Sequence, residues 1–376
     1  MASILKLPPE LDDVIMSFLV GNQASLRACA LTCKAWVIAS RKVLYCDIKL
    51  ETESQFDAFK RTVLSRPHVG KRVRVLRIDR SRRKYKDQNP WINNKLLCIL
   101  RLLKGVRTFE LINVNEQWGL VSMHLLSVFC KAVTKLSVIS CGMSSVELFY
   151  LISAFSSLND LVIKDWVDLP RPWVFDVTWN WNHTVAPALR ITKLTLQTSD
   201  CLLEEFFGLV LMTGARTALR DVAVAIDKQS LAAYALFLSG FGSQLEHLEL
   251  RFRQNYGDNP RHAADIVTRM NLAVNTGLKS LTFRSAAQQV VFGLLSQIAA
   301  PHLERITFRT RINSLQDIRD IRPDFILFLP HLKSVREVRV LYTGRYTHAE
   351  VSERFEDTFG EIVSGGMILL ERDYEA

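Results

Sequence analysis

From residue 70 to residue 372 the chain repeats one short hydrophobic figure: an apolar residue, two others, an apolar residue, one other, and an apolar residue again. It reads Val73-Leu76-Ile78, Val106-Phe109-Leu111, Val133-Leu136-Val138, Leu158-Leu161-Ile163 and Ile191-Leu194-Leu196. It continues as Leu219-Val222-Val224, Leu245-Leu248-Leu250, Leu278-Leu281-Phe283, Leu303-Ile306-Phe308 and Val335-Val338-Val340. The middle residues lie 25 to 33 positions apart, a spacing that chance alternation does not hold ten times. A period of two predicts a short strand around each middle residue, with one face buried. Between strands the spacing turns helical. Ser144 with Glu147 predicts a capping box before Val146, Leu148, Leu151 and Ile152, and Leu231–Leu238, Ala263–Val274 and Val290–Ile298 take the same place in their own repeats.

One strand and one helix per unit resembles a leucine-rich repeat, and the resemblance covers about four fifths of the chain. It implies an α/β solenoid with parallel strands inside and helices outside, in which neighbours stack because no unit buries its own apolar face. The asparagine or cysteine that the family places after the strand is met clearly only by Cys141; elsewhere stand Ser81, Trp166, Asp227, Arg253 and Arg311. Such side chains normally satisfy backbone groups at the turn, so regular curvature is not expected.

The first fifty residues follow another rule. Pro8 and Pro9 suit the start of a helix, Glu10, Asp12 and Asp13 favour its positive end, and Leu11, Val14, Ile15, Phe18 and Leu19 make one apolar face. Gly21 and Asn22 stop it. A second helix is expected to bury Leu26, Cys29, Ala30, Cys33 and Trp36. About fifty residues bury that much apolar surface poorly alone, so the segment is expected to lean on a partner.

Leu-Pro-Pro-Glu-Leu at 7–11, the spacing to Leu19, and Leu-Arg-Ala-Cys-Ala-Leu-Thr-Cys-Lys-Ala-Trp at 26–36 resemble the F-box, in a phrasing similar to basidiomycete fungal F-box proteins. The resemblance implies a Skp-type adaptor as partner and, through it, a cullin–RING ubiquitin ligase of the SCF type. It implies that Leu7, Pro8, Pro9, Leu11, Ile15, Leu19, Leu26, Cys33 and Trp36 serve the contact or the module's small core. The expected organisation is an F-box over 1–50, about ten repeats over 51–372, and a tail at 373–376.

Composition narrows the rest. Hydrophobic content of 48% argues against disorder, and no apolar run reaches the ~18 residues of a membrane span. Phe206–Met212 and Val290–Ile298 read as buried helix, and no signal-peptide pattern is evident. Seven scattered cysteines without a C-x-x-C suggest reduced thiols in cytosol or nucleus, with Cys29 and Cys33 as core thiols. Phosphate-loop, dinucleotide, zinc-protease and nucleophile-elbow motifs are missing and the histidines are scattered, so neither catalysis nor a cofactor is expected.

Two irregular stretches remain. Arg80–Lys86 holds five positive charges in seven residues and reads as a solvated loop ahead of a nuclear address or a phosphate contact, and four of the seven tryptophans fall within 166–181, where they either cover an edge of the repeats or anchor a partner. Strand alternation puts His247, Glu249, Arg251, Ser280, Thr282, Arg284, Arg305, Thr307, Arg309, Glu337, Arg339 and Leu341 on the face away from the core. Six of these twelve are arginine or histidine against two acids, so an acidic or phosphorylated protein client is expected along Arg251, Arg284, Arg305, Arg309 and Arg339. The expected function is that of a non-catalytic, substrate-recognition subunit. A net charge of +10 raises two further readings, a basic repeat protein on nucleic acid and an F-box scaffold without a ligase role.

Overall fold

A computed structural model describes residues 8–81, 95–115, 120–167, 189–198, 203–211, 213–253, 260–298, 300–315, 317–318, 334–363 and 368–373. The chain forms two compact units, the first running to Leu158 and the second beginning at Asn159.

The first unit opens with three helices, α1 (Pro9–Ser17), α2 (Gln23–Thr32) and α3 (Lys34–Leu44). Strands β1 (Asp47–Leu50), β2 (Val75–Asp79), β3 (Thr108–Ile112) and β4 (Lys135–Ile139) follow, interleaved and closed by α4 (Glu53–Ser65), α5 (Pro67–Arg72), α6 (Leu97–Leu100), α7 (Leu120–Phe129) and α8 (Ser145–Ser153). The strands pair in parallel and in chain order. The predicted middle residues share one register, Leu76 beside Phe109 and Phe109 beside Leu136.

The second unit repeats the scheme. Its strands are β5 (Asp160–Lys164), β6 (Lys193–Gln197), β7 (Asp221–Ile226), β8 (His247–Phe252), β9 (Ser280–Arg284), β10 (Arg305–Ile312), β11 (Glu337–Gly344) and β12 (Ile368–Arg372). The helices are α9 (Leu203–Leu211), α10 (Ala215–Ala218), α11 (Leu231–Ser239), α12 (Pro260–Arg269), α13 (Gln288–Gln297) and α14 (His348–Val363). Leu161, Leu194, Val222, Leu248, Leu281, Ile306 and Val338 form one unbroken parallel row. The α/β class and the parallel, repeat-like strands are therefore present. Strands β1 and β12 add to the ten expected. Their leading position is held by Tyr45 and Gly365, so the apolar figure is incomplete there.

A single backbone device joins successive repeats. In β2 to β4 and in β6 to β11 the first residue of the strand and the residue before it both donate to one carbonyl in the preceding repeat. Arg107 and Thr108 bond Arg74 O at 2.8 and 3.0 Å, and Lys279 and Ser280 bond Glu246 O at 2.8 and 3.1 Å. This arrangement satisfies donors that the turn into the strand would otherwise bury unpaired. The residues supplying these groups alternate in charge along one rim of the second unit, as Arg220, Glu246, Lys279, Glu304 and Arg336. Glu246 pairs with Arg220 at 3.6 Å and with Lys279 at 2.7 Å, and Glu304 with Arg336 at 3.9 Å.

The far ends of the strands turn sharply. Asn113, Ser140, Asp165 and Ser285 each follow directly on a strand with φ between 47° and 54°, a left-handed corner recurring at one place in the repeat. Varied side chains do the work of the missing asparagine. Cys141 donates to Leu111 O at 3.4 Å, Asn115 accepts from Gly142 N at 2.6 Å, and Asp227 accepts from Gln229 N and Ser230 N. The capping box is present: Glu147 N donates to Ser144 Oγ at 3.2 Å and Ser144 N to Glu147 Oε2 at 2.9 Å. Inside the second unit Phe207 stacks on Phe237 at 4.0 Å, and the buried Tyr234 hydroxyl donates to Thr198 O.

Candidate functional site: an apolar helix face and an arginine-bearing sheet face

The three N-terminal helices close on a core of Met16, Leu26 and Ala39, with Leu19, Cys29, Trp36, Val43 and Leu44 packed against it. Asp12 is buried beside this cluster and is satisfied by the Trp36 indole, which donates to Asp12 Oδ1 at 2.9 Å. Lys42 pairs with Asp13 at 2.6 Å and ties α3 to α1. Gly21 stops the first helical segment with φ +89°, and Asn22 caps α2 by accepting from Ser25 N.

This closure leaves the other side of α1 bare. Leu11 is 47%, Val14 50%, Ile15 38% and Phe18 82% exposed, at helical spacing on one face. Large apolar side chains grouped in this way on a surface mark a contact site. Met16 is the anchor that the sequence reading passed over, because Leu11 through Leu19 already made a continuous apolar face without it. Of the residues assigned to adaptor contact or core, Leu11 and Ile15 belong to the bare face and Pro8 is exposed beside it. Leu19, Leu26 and Trp36 belong to the core. Pro9 starts α1, and Leu7 lies outside the described residues.

Cys33 needs correction. It is exposed, not buried, because the expected second helix is two helices that meet there, with Cys33 extended at φ −154° and ψ 164° between them. Leu31 and Ile38, on either side of this break, are exposed as well.

The five arginines assigned to the client all lie on the half-exposed face of the second unit's sheet, and most already hold an acid. Arg251 donates to Glu249 on its own strand at 2.5 Å, so Glu249 is half-buried rather than free. Arg305 reaches Glu337 at 2.6 Å, and Arg339 bonds the other oxygen of the same carboxylate. Burial alone would raise Glu337, but hydrogen bonds from Arg305 and Arg339 more than offset it and hold the carboxyl below its ordinary value. Arg309 approaches Asp373 at 3.7 Å. Arg284 has no ion pair among the described residues.

The other singled-out stretches are only partly visible. Of the basic run, Arg80 and Ser81 are described and the rest lies outside the described residues. Trp166 is buried at the end of β5, while Trp173, Trp179 and Trp181 lie outside the described residues. Among the described residues, no histidine, cysteine and carboxylate cluster is placed to hold a metal, and no helix is long and apolar enough to cross a membrane. Neither a scan of protein-family models nor a search of curated proteins finds a match for this chain.

Proposed function

We propose that this chain is a substrate receptor in a cullin–RING ubiquitin ligase of the SCF type. The N-terminal helices dock a Skp-type adaptor, and the repeats hold a protein client. The observation that carries this reading is the bare apolar face of α1 beside a small, completed core. A solvent-facing Phe18 with Leu11, Val14 and Ile15 gives the folded chain nothing, whereas burial against a partner stabilises the complex by roughly 1.5–3 kcal/mol for a large side chain. The F-box resemblance of residues 7–36 supplies the identity of that partner. The chain's own part is positioning: a client held near a charged conjugating enzyme gains rate from proximity, with the chemistry on other subunits. Such a receptor works in the cytosol or nucleus and needs no cofactor.

Client capture belongs to the exposed face of the second unit. Because Glu249, Glu337 and Asp373 already engage Arg251, Arg305, Arg339 and Arg309, the positive charge open to an acidic client centres on Arg284.

The test is co-purification of the adaptor with the Leu11→Ser, Phe18→Ser double variant. Both side chains are exposed, so the melting temperature should stay within about a degree while adaptor recovery falls more than tenfold, as expected for roughly 3 kcal/mol of lost burial. Undiminished recovery of the adaptor overturns the reading.

A further inference from the structure

We propose that the second unit carries a binding site for a phosphomonoester dianion, in a cleft at the carboxyl ends of β9, β10 and β11 lined by Arg284, Arg309, Arg311 and Arg345. The cleft has a volume of about 750 Å³, and Asp373 is the only acid among its described lining residues.

The sheet's own habits single out this place. Along the opposite rim, neighbouring charges alternate in sign, and acids there pair with their basic neighbours. At the far end of the strands the rule is broken. Arg251, Arg284 and Arg309 stand in register on three adjacent parallel strands, so like charges sit one strand spacing apart, about 4.8 Å. Like charges placed opposite one another destabilise a sheet. Glu249 engages Arg251 and Asp373 engages Arg309, but Arg284 between them has no ion pair among the described residues, and neither does Arg311 two positions along β10. An arrangement that costs the empty fold stability and concentrates guanidinium groups around a cleft is suited to an anion. Arginine forks match phosphoryl oxygens in bidentate geometry, and a dianion answers two or more of them at once.

The shape favours a compact phosphate over a polynucleotide. Among the described residues no aromatic ring lines the cleft for a base to stack on, and Glu249 lies on the same face two residues before Arg251, where a chain of phosphates would meet it. A phosphoserine or phosphothreonine side chain and a free phosphate ester offer the same chemistry. The site stands on the second unit alone: it holds or fails without reference to adaptor docking.

Calorimetric titration of the full chain tests it, with inorganic phosphate, O-phosphoserine, and one peptide in phosphoserine and unmodified forms. Phosphate and O-phosphoserine should bind, and the affinity for O-phosphoserine should fall between pH 7.5 and pH 5 as its second phosphate ionisation at ~6 is crossed, whereas sulfate should show no such fall. Arg284→Gln and Arg311→Gln should each weaken binding roughly tenfold, and Arg336→Gln on the opposite rim should leave it unchanged. Arg284→Gln should also keep or raise the melting temperature, since it relieves the row of like charges. A phosphopeptide binding well above O-phosphoserine assigns the source to a protein, and equal affinities assign it to a small ester. Absence of binding by every phosphate probe overturns the proposal, as does wild-type affinity in Arg284→Gln. Tighter binding of a single-stranded oligonucleotide than of the phosphopeptide, lost in the same variants, overturns it in favour of nucleic acid.

Discussion

Truncating Leu248 to alanine tests the register on which the second unit rests. The side chain is 2% exposed and lies in register between Val222 and Leu281, both buried. Backbone ladders hold its strand on both sides, so the surroundings can close only partly over the lost methyl groups. Leucine-to-alanine changes at such sites cost about 2–5 kcal/mol, and a site framed by two paired strands belongs near the middle, about 3–4 kcal/mol. That is a large part of a domain's net stability of roughly 5–15 kcal/mol. Because the chain has two compact units, one unfolding midpoint would mix their transitions, and amide hydrogen exchange is the better assay. Protection at β7, β8 and β9 should fall by roughly a hundredfold or more, the equilibrium equivalent of about 3 kcal/mol. Leu236→Ala on α11 is the control. That side chain is exposed and the change should cost under ~0.5 kcal/mol. Glu249→Gln should cost up to ~1 kcal/mol, the value of its half-exposed pair with Arg251. Equal losses from Leu248→Ala and Leu236→Ala, or no loss from either, would refute the assignment of buried and exposed positions.

Two further outcomes follow from local geometry. Cys33 and Cys98 are exposed and should react with a thiol reagent in the native protein, whereas Cys130 and Cys141, which burial pushes up to about 12 and about 11, should react only after denaturation; equal rates at Cys141 and Cys33 would contradict the buried corner at β4. Gly277→Ala places a methyl 1.8 Å from the backbone oxygen of Ser243 in the preceding repeat, a clash no rotamer relieves, so amide protection at β8 and β9 should fall by the equivalent of roughly 1–3 kcal/mol; unchanged protection there would mean the repeats approach less closely.

The repeat was legible because its signal is physical and redundant. A buried strand needs an apolar residue at every second position, and the middle residues of β2 to β11 carry it without exception. The capping box at Ser144 was legible for the same reason, being a local device with a fixed spacing. The end strands β1 and β12 escaped because Tyr45 and Gly365 break the figure, and a pattern search has no second criterion there. In the N-terminal module the apolar periodicity of α1 was visible, but not which side faced inward. Met16 and Leu11 differ little as hydrophobes, and only the docking of α2 and α3 decides that Met16 is buried and Leu11 is not. The break at Cys33 was invisible because no glycine or proline marks it. The arginine face was legible as positions but not as charge, since the engagement of Arg305 and Arg339 by one carboxylate depends on β10 lying beside β11.

What the two proposed contact surfaces share is that each departs from a rule the rest of the chain obeys. Apolar side chains are buried along strand after strand, yet Leu11, Val14, Ile15 and Phe18 face solvent together. Charges alternate along one rim, yet Arg251, Arg284 and Arg309 stand side by side. A folding explanation would have to make each departure locally favourable, and neither is. The α1 face forgoes burial in a module whose core is already complete, and the arginine row concentrates like charge where a single glutamate on β9 would neutralise it. Consistency between local choices and the fold is what makes a sequence foldable, and proteins relax it where another requirement intervenes. One departure is satisfied by apolar burial and the other by an anion. They therefore call for two chemically different occupants, and the losses produced by Phe18→Ser and Arg284→Gln should be independent of one another.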